Sequence, residues 1–305
     1  KFLYFFFIFI LNFIFFSISF SSEQFNFDIT EIQILDNGNI IKGLKKGKAS
    51  TNDGVEIEAE SFFYYKIENE LQAEGNVKIK DINNDVIIFT DSIVYKKNDE
   101  IILTNGKSKA VYNNNKIITS TNFKFERDKN ILNASNNVKI HDKVQDYIIY
   151  TEDITYYKNF EKIITKGKTE SIFQSKYEIE SEDIIYLIKE NKLSSPKKTR
   201  IKDSNSNIYF LTKFNYQTNN EILKGDEILI ITNYDTPKSD RYYFANGIVD
   251  LKNQKFLGKD TDIRIHKSVF DNSDNDPRLK GVSAKTDRNI TTIKKGVFTS
   301  CKIND

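Results

Sequence analysis

The chain has 305 residues, with 45 basic and 43 acidic side chains, a formal net charge of +2, one cysteine, two histidines and three prolines. So balanced a charge argues against a nucleic-acid partner, which would need a basic face, and a lone cysteine excludes an internal disulfide. Cys301, His141 and His266 are too few to assemble a zinc site of about four ligands unless the fold gathers carboxylates, so no metal or cofactor is expected.

Phe2 through Phe16 is apolar apart from Asn12, and Ser17 to Ser22 then supplies small residues before polar sequence begins. Residues 1–22 read as a secretory signal peptide, with Ser19 and Ser21 at the cleavage site. The alternative is an uncleaved anchor, since the apolar run approaches the roughly 20 residues needed to span a bilayer. Both place the remainder of the chain outside the cytoplasm.

From Ile32 to Ile265, strand-like runs alternate with short turns rich in Asn, Asp, Lys and Gly, among them Asn52-Asp53-Gly54, Lys97-Asn98-Asp99, Asp128-Lys129-Asn130 and Thr218-Asn219-Asn220. Asn and Asp tolerate positive φ, so these are hairpin signals. The pattern Asp91-Ser92-Ile93-Val94-Tyr95 recurs six times, its last aromatic falling at Tyr64, Tyr95, Phe125, Tyr156, Tyr186 and Tyr216, separated by 30 or 31 residues. A period of that kind is a structural repeat. Alternation places Phe62 and Tyr64, Ile93 and Tyr95, Phe123 and Phe125, Ile154 and Tyr156, Ile184 and Tyr186, and Phe214 and Tyr216 on one face. The opposite face holds Val94, Lys124 and Thr155.

Eleven residues after the marker comes Gly75, Gly106 or Gly167, with Asn136, Lys197 and an early Gly225 in the other copies. A glycine inside a strand marks a bulge or bend. The fold expected over residues 23–270 is therefore all-β: stacked antiparallel hairpins forming an elongated, twisted β-jelly-roll with an apolar groove. A parallel β-helix is the alternative, but its short strands and small corner residues are missing. The lysine pairs Lys45-Lys46, Lys96-Lys97 and Lys197-Lys198 are expected to solvate turns.

The aromatic row is either a packed core or an apolar groove, open along one edge, that accepts acyl chains. Each buried methylene is worth about 0.8 kcal/mol, so a chain of about 12 carbons carries about 10 kcal/mol of transfer free energy. No nucleophile elbow, Walker loop or zincin helix occurs. Asp260 and Asp262 are best read as a solvated strand edge, and no enzyme is expected.

The repeat, with Leu71-Gln72-Ala73-Glu74-Gly75-Asn76-Val77, resembles the OstA-like (organic solvent tolerance) family of LptA-like bridge proteins, membrane-anchored LptC and the amino-terminal part of LptD proteins. The tail, through Pro277 to Ala284 and Thr291 to Cys301, is similar to the passage by which LptD proteins enter their outer-membrane barrel. The resemblance implies that residues 271–305 are a linker into a missing barrel. It implies lipopolysaccharide as cargo in the periplasm, passed on towards the outer membrane. An LptA-like protein would dock by strand addition, and an LptE-like plug lipoprotein would act through the barrel. It also makes Cys301 a disulfide candidate with a partner beyond the chain's end. A structural or adhesive envelope repeat protein is the competing reading.

Overall fold

In a computed structural model the chain is all-β, with 24 strands among the described residues, joined by antiparallel pairing. The structure describes residues 25–270, 274–287 and 290–302; the signal-peptide assignment lies outside them.

The repeating unit is a rung of about 11 residues bent once in the middle, so that its two halves become limbs of a V. In Val86–Lys96, Val86, Ile88 and Thr90 point inward, then Ile93 and Tyr95. Asp91 and Ser92 between them shift the alternation by one position. A one-residue slip turns every following side chain to the other face, and after a bend that other face is the inside. Each rung pairs with the next along both limbs: Lys96 to Ser92 run beside Ile101 to Asn105, and Phe89 to Val86 beside Lys109 to Tyr112. The limbs thus build two facing sheets whose common interior is a single apolar core. Two rungs and two turns fill each 30-residue period, as the sequence predicts.

The expected kinks are present. Gly75, Gly106 and Gly167 have φ of +81°, +94° and +78°, and Asn136 takes +67°. At Gly106 a Cβ would fall 2.1 Å from Oδ2 of Asp91 in the preceding rung, and that same carboxylate accepts the Lys107 backbone N–H at 3.1 Å. The acid that opens the repeat motif therefore caps the bend of its neighbour.

Hairpin turns form two columns along the edges of the V that lie opposite the bends. The limb that carries the marker aromatics ends in turns at 66–69, 97–100, 127–130, 158–161, 188–191 and 218–221; the facing limb ends in turns at 51–54, 82–85, 113–115, 143–146 and 174–176. Stacking continues beyond residue 270: Arg278–Asp287 pairs with Lys255–Arg264, and Ile290–Lys294 and Val297–Thr299 pair with it in turn. At the amino end, Asn26–Leu35 pairs with Ile40–Ser50 and exposes Ile32, Ile34 and Leu35.

Candidate functional site in the interior

All twelve residues read from the sequence as the inner row (Phe62, Tyr64, Ile93, Tyr95, Phe123, Phe125, Ile154, Tyr156, Ile184, Tyr186, Phe214 and Tyr216) are buried to within 3% of full exclusion from solvent and share one core. What sequence reading missed is the wall opposite them. Tyr112 meets Tyr156 edge-on at 5.3 Å, Tyr147 and Phe173 meet Tyr186 at 5.2 and 5.3 Å, and Tyr177 meets Tyr216 at 5.8 Å. The facing limb carries the same alternation as the marker limb, and that was the available signal. Edge-to-face packing of this kind adds about 0.5–1.5 kcal/mol per pair beyond area burial.

Where the groove was expected to lie open, side chains from the two turn columns meet. Arg127 donates through Nε to Asp81 at 2.7 Å and through Nη1 to Asp53 at 2.8 Å and the Tyr95 hydroxyl at 2.5 Å, and also pairs with Glu100. Lys97 reaches Asp53 at 3.0 Å and also pairs with Glu100. Its side chain is only 6% exposed, which corrects its assignment to a solvated turn: the surrounding carboxylates offset the desolvation of its ammonium. Farther along, Lys116 donates to the Tyr156 hydroxyl at 3.0 Å and to Glu161 at 3.1 Å, with Asp142 at 3.7 Å. Gln174 then donates to the Thr218 carbonyl at 2.7 Å, and Tyr177 donates to Glu221 at 2.5 Å. We call this row the seam. Many of its stitches join residues 44 to 46 positions apart.

The seam displaces several acid–base equilibria. Burial pushes the Tyr95 phenol far up, assisted by Glu100, although Arg127 opposes it. Burial also raises Asp53, but hydrogen bonds from Thr51, Arg127 and Lys97 outweigh it and hold the carboxyl well below the usual carboxylate range. Tyr186 is pushed up to about 12 by burial. One hydroxyl on this path, that of Tyr147, is buried without a hydrogen-bond partner among the described residues.

Beyond Glu221 the two columns diverge around a cleft of 610 Å³. Its floor is formed by Tyr209, Ile230, Tyr242, Val249 and Phe256, and its rim is formed largely of amides and hydroxyls, including Asn205, Asn233, Gln254 and Thr291. Tyr209, Ile230 and Val249 belong to the continuous core, against which Tyr242 and Phe256 also pack.

The other sequence candidates stand apart. Cys301 is an exposed thiol. Its backbone carbonyl accepts from Arg278 at 2.9 Å. Asp262 pairs with Lys280 at 3.4 Å, whereas Asp260 is exposed and has a φ of +50°. Among the described residues no group of three or more His, Cys, Asp or Glu is placed to hold a metal ion. A scan against protein-family models finds none that matches, and no curated protein matches the chain.

Proposed function

We propose that this chain is a periplasmic conduit for lipopolysaccharide, guiding acyl chains between its two limbs towards an outer-membrane barrel. The observation that carries the reading is the interior itself. An apolar row runs from Phe62 to Tyr216 and continues into the floor of an open cleft. Such a path suits a molecule whose tail gains about 0.8 kcal/mol per buried methylene. Its sugar head stays outside, because burying an unpaired hydroxyl costs roughly 2–7 kcal/mol. The resemblance of Leu71 to Val77 and of the tail to OstA-like and LptD sequences supports the same cargo. The terminal rung Asn26–Leu35, with Ile32, Ile34 and Leu35 exposed, suits strand addition by an LptA-like bridge protein, and an LptE-like lipoprotein would act at the barrel.

Photo-crosslinkers at Tyr95, Phe125 and Tyr156 test the conduit in cells. Capture of lipopolysaccharide there, and not at Val94, Lys124 or Thr155, is the expected result. Equal capture on the two faces, or none, removes the conduit. The seam favours a second reading, a structural envelope repeat protein with a permanently closed interior, and absence of capture at every inward position is the outcome that reading requires.

A further inference from the structure

We propose that the outer face of the facing limb docks on an anionic lipid surface. The inference concerns the outside of the molecule and goes beyond the conduit, which stands or falls on the interior.

In three strands of this limb the alternation of apolar and polar residues lapses. Val86-Ile87-Ile88-Phe89, Ile117-Ile118 and Tyr147-Ile148-Ile149-Tyr150 are apolar on both faces. An antiparallel sheet with one face in water alternates, whereas strands apolar on both faces belong to a sheet that is covered on both. The inward members Ile88, Ile118 and Ile149 are fully buried in the core. Cross-strand register gathers the outward members into a row: Ile87 lies opposite Val111, Val111 opposite Ile117, Ile117 opposite His141, and His141 opposite Ile148. At the usual strand spacing this row is about 19 Å long. Phe89 and Tyr150 flank it on the side of the bends, 40% and 41% exposed, and Ile82 and Val144 continue the apolar surface at the adjoining turns, 54% and 71% exposed.

Charge selects the occupant. Over the segments 77–81, 86–90, 108–112, 116–120, 138–142 and 147–151, all of them described, the outward positions hold Lys78, Lys80, Lys109 and Lys139 and no carboxylate. Acids begin outside that field, at Glu56, Glu58 and Glu170 on the flanking strands and at Asp85 and Asp146 in the turns. Lys78 pairs with Glu58 at 3.4 Å, but Lys109 and Lys139 lie over the rings of Phe89 and Tyr150, at 6.0 and 5.4 Å from the centroids. The outer face of the other limb is mixed: Lys124 pairs with Glu126 at 2.8 Å, and Lys96 lies opposite Glu70. A second copy of the chain would bring lysines against lysines, and a nucleic acid would leave the isoleucine row nothing apolar to meet. An anionic bilayer supplies phosphates to the lysines, hydrocarbon to the isoleucines, and between them the boundary that aromatic rings favour.

The test titrates the full chain with vesicles of phosphatidylcholine alone and of phosphatidylcholine and phosphatidylglycerol in equal parts. Binding to the mixed vesicles is expected to be at least tenfold tighter. Lys109→Glu with Lys139→Glu is expected to abolish that preference. Lys162→Glu, at a lysine over the Tyr157 ring at 5.6 Å on the other limb, is expected to leave it intact. The chain has no tryptophan, so Tyr150→Trp and Tyr157→Trp each give a single reporter, one per outer face; brominated acyl chains are expected to quench the first and not the second. Residues 1–22 are common to every variant, so neither comparison depends on them. Equal binding to the two vesicles, a preference that survives the double substitution, or quenching that is equal on the two faces or absent overturns the lipid-docking face and leaves the conduit standing. Self-association through this face without vesicle binding overturns it in favour of a second copy.

Discussion

Arg127 and Asp81, 46 residues apart, meet at 2.7 Å across the mouth of the V, and the Asp81 side chain is wholly excluded from solvent. The pair joins the two turn columns, so its guanidinium closes the interior as well as balancing charge. Removing one member of a buried pair leaves the other desolvated and typically costs about 3–5 kcal/mol. Arg127→Met is therefore expected to lower unfolding free energy in urea by that amount. Arg127→Met with Asp81→Asn is expected to recover part of the loss, because no uncompensated carboxylate remains.

Acid should loosen the same region. The folded-state value of Asp53 is depressed below its unfolded value of about 3.9. Its contribution is thus present above that value and is lost as pH falls through the folded one. Urea midpoints of the native chain are expected to fall between about pH 4 and pH 2. Asp53→Asn should be less stable at neutral pH and show a flatter profile in that window; an unchanged acid slope would assign the effect to other carboxylates.

Tyr147 gives the opposite sign. Among the described residues its buried hydroxyl has no hydrogen-bond partner, while its ring stacks on Phe173 at 5.6 Å. A buried unsatisfied group costs about 1–3 kcal/mol, so Tyr147→Phe, which keeps the ring, is expected to raise the thermal midpoint. A fall would show that the hydroxyl has a partner in solution, such as a bound water.

Gly106 is held at φ +94°, with Asp91 where a Cβ would be. Gly106→Ala is expected to cost more than about 1 kcal/mol, since alanine is strained at positive φ. Adding Asp91→Ala should relieve the collision but not the backbone strain, so rescue measured by denaturant unfolding is expected to be partial.

The repeat, the inner face and the kinks were legible because they are local: alternation within one strand, Asn and Asp at turns, and glycine at a fixed offset from the marker. The facing wall was legible in principle, since Tyr112, Tyr147 and Tyr177 alternate as Tyr95 and Tyr156 do. They lacked a conspicuous recurring phrase to draw attention to them. The seam was not legible. In the sequence, Lys97 is a turn lysine like Lys46, and only stacking brings Asp53 to it from 44 residues away. Burial of a charge depends on such distant partners, and local periodicity contains no trace of them. The cleft was hidden for the same reason, being defined by the point at which the two columns part.

The length of the seam's stitches bears on how the molecule comes apart. A solenoid whose repeats touch only their neighbours unfolds nearly as a sum of independent units, fraying from either end. Here contacts of 44 to 46 residues, and of 74 between Arg127 and Asp53, exceed the 30- or 31-residue period. The stitches of 44 to 46 residues span about one and a half periods, and the 74-residue contact, longer than two periods, ties a repeat to one beyond its immediate neighbour. Between Asp53 and Glu221 the rungs should open as one cooperative block, with backbone amides exchanging at a common free energy. Rungs outside those limits should exchange through smaller, local openings.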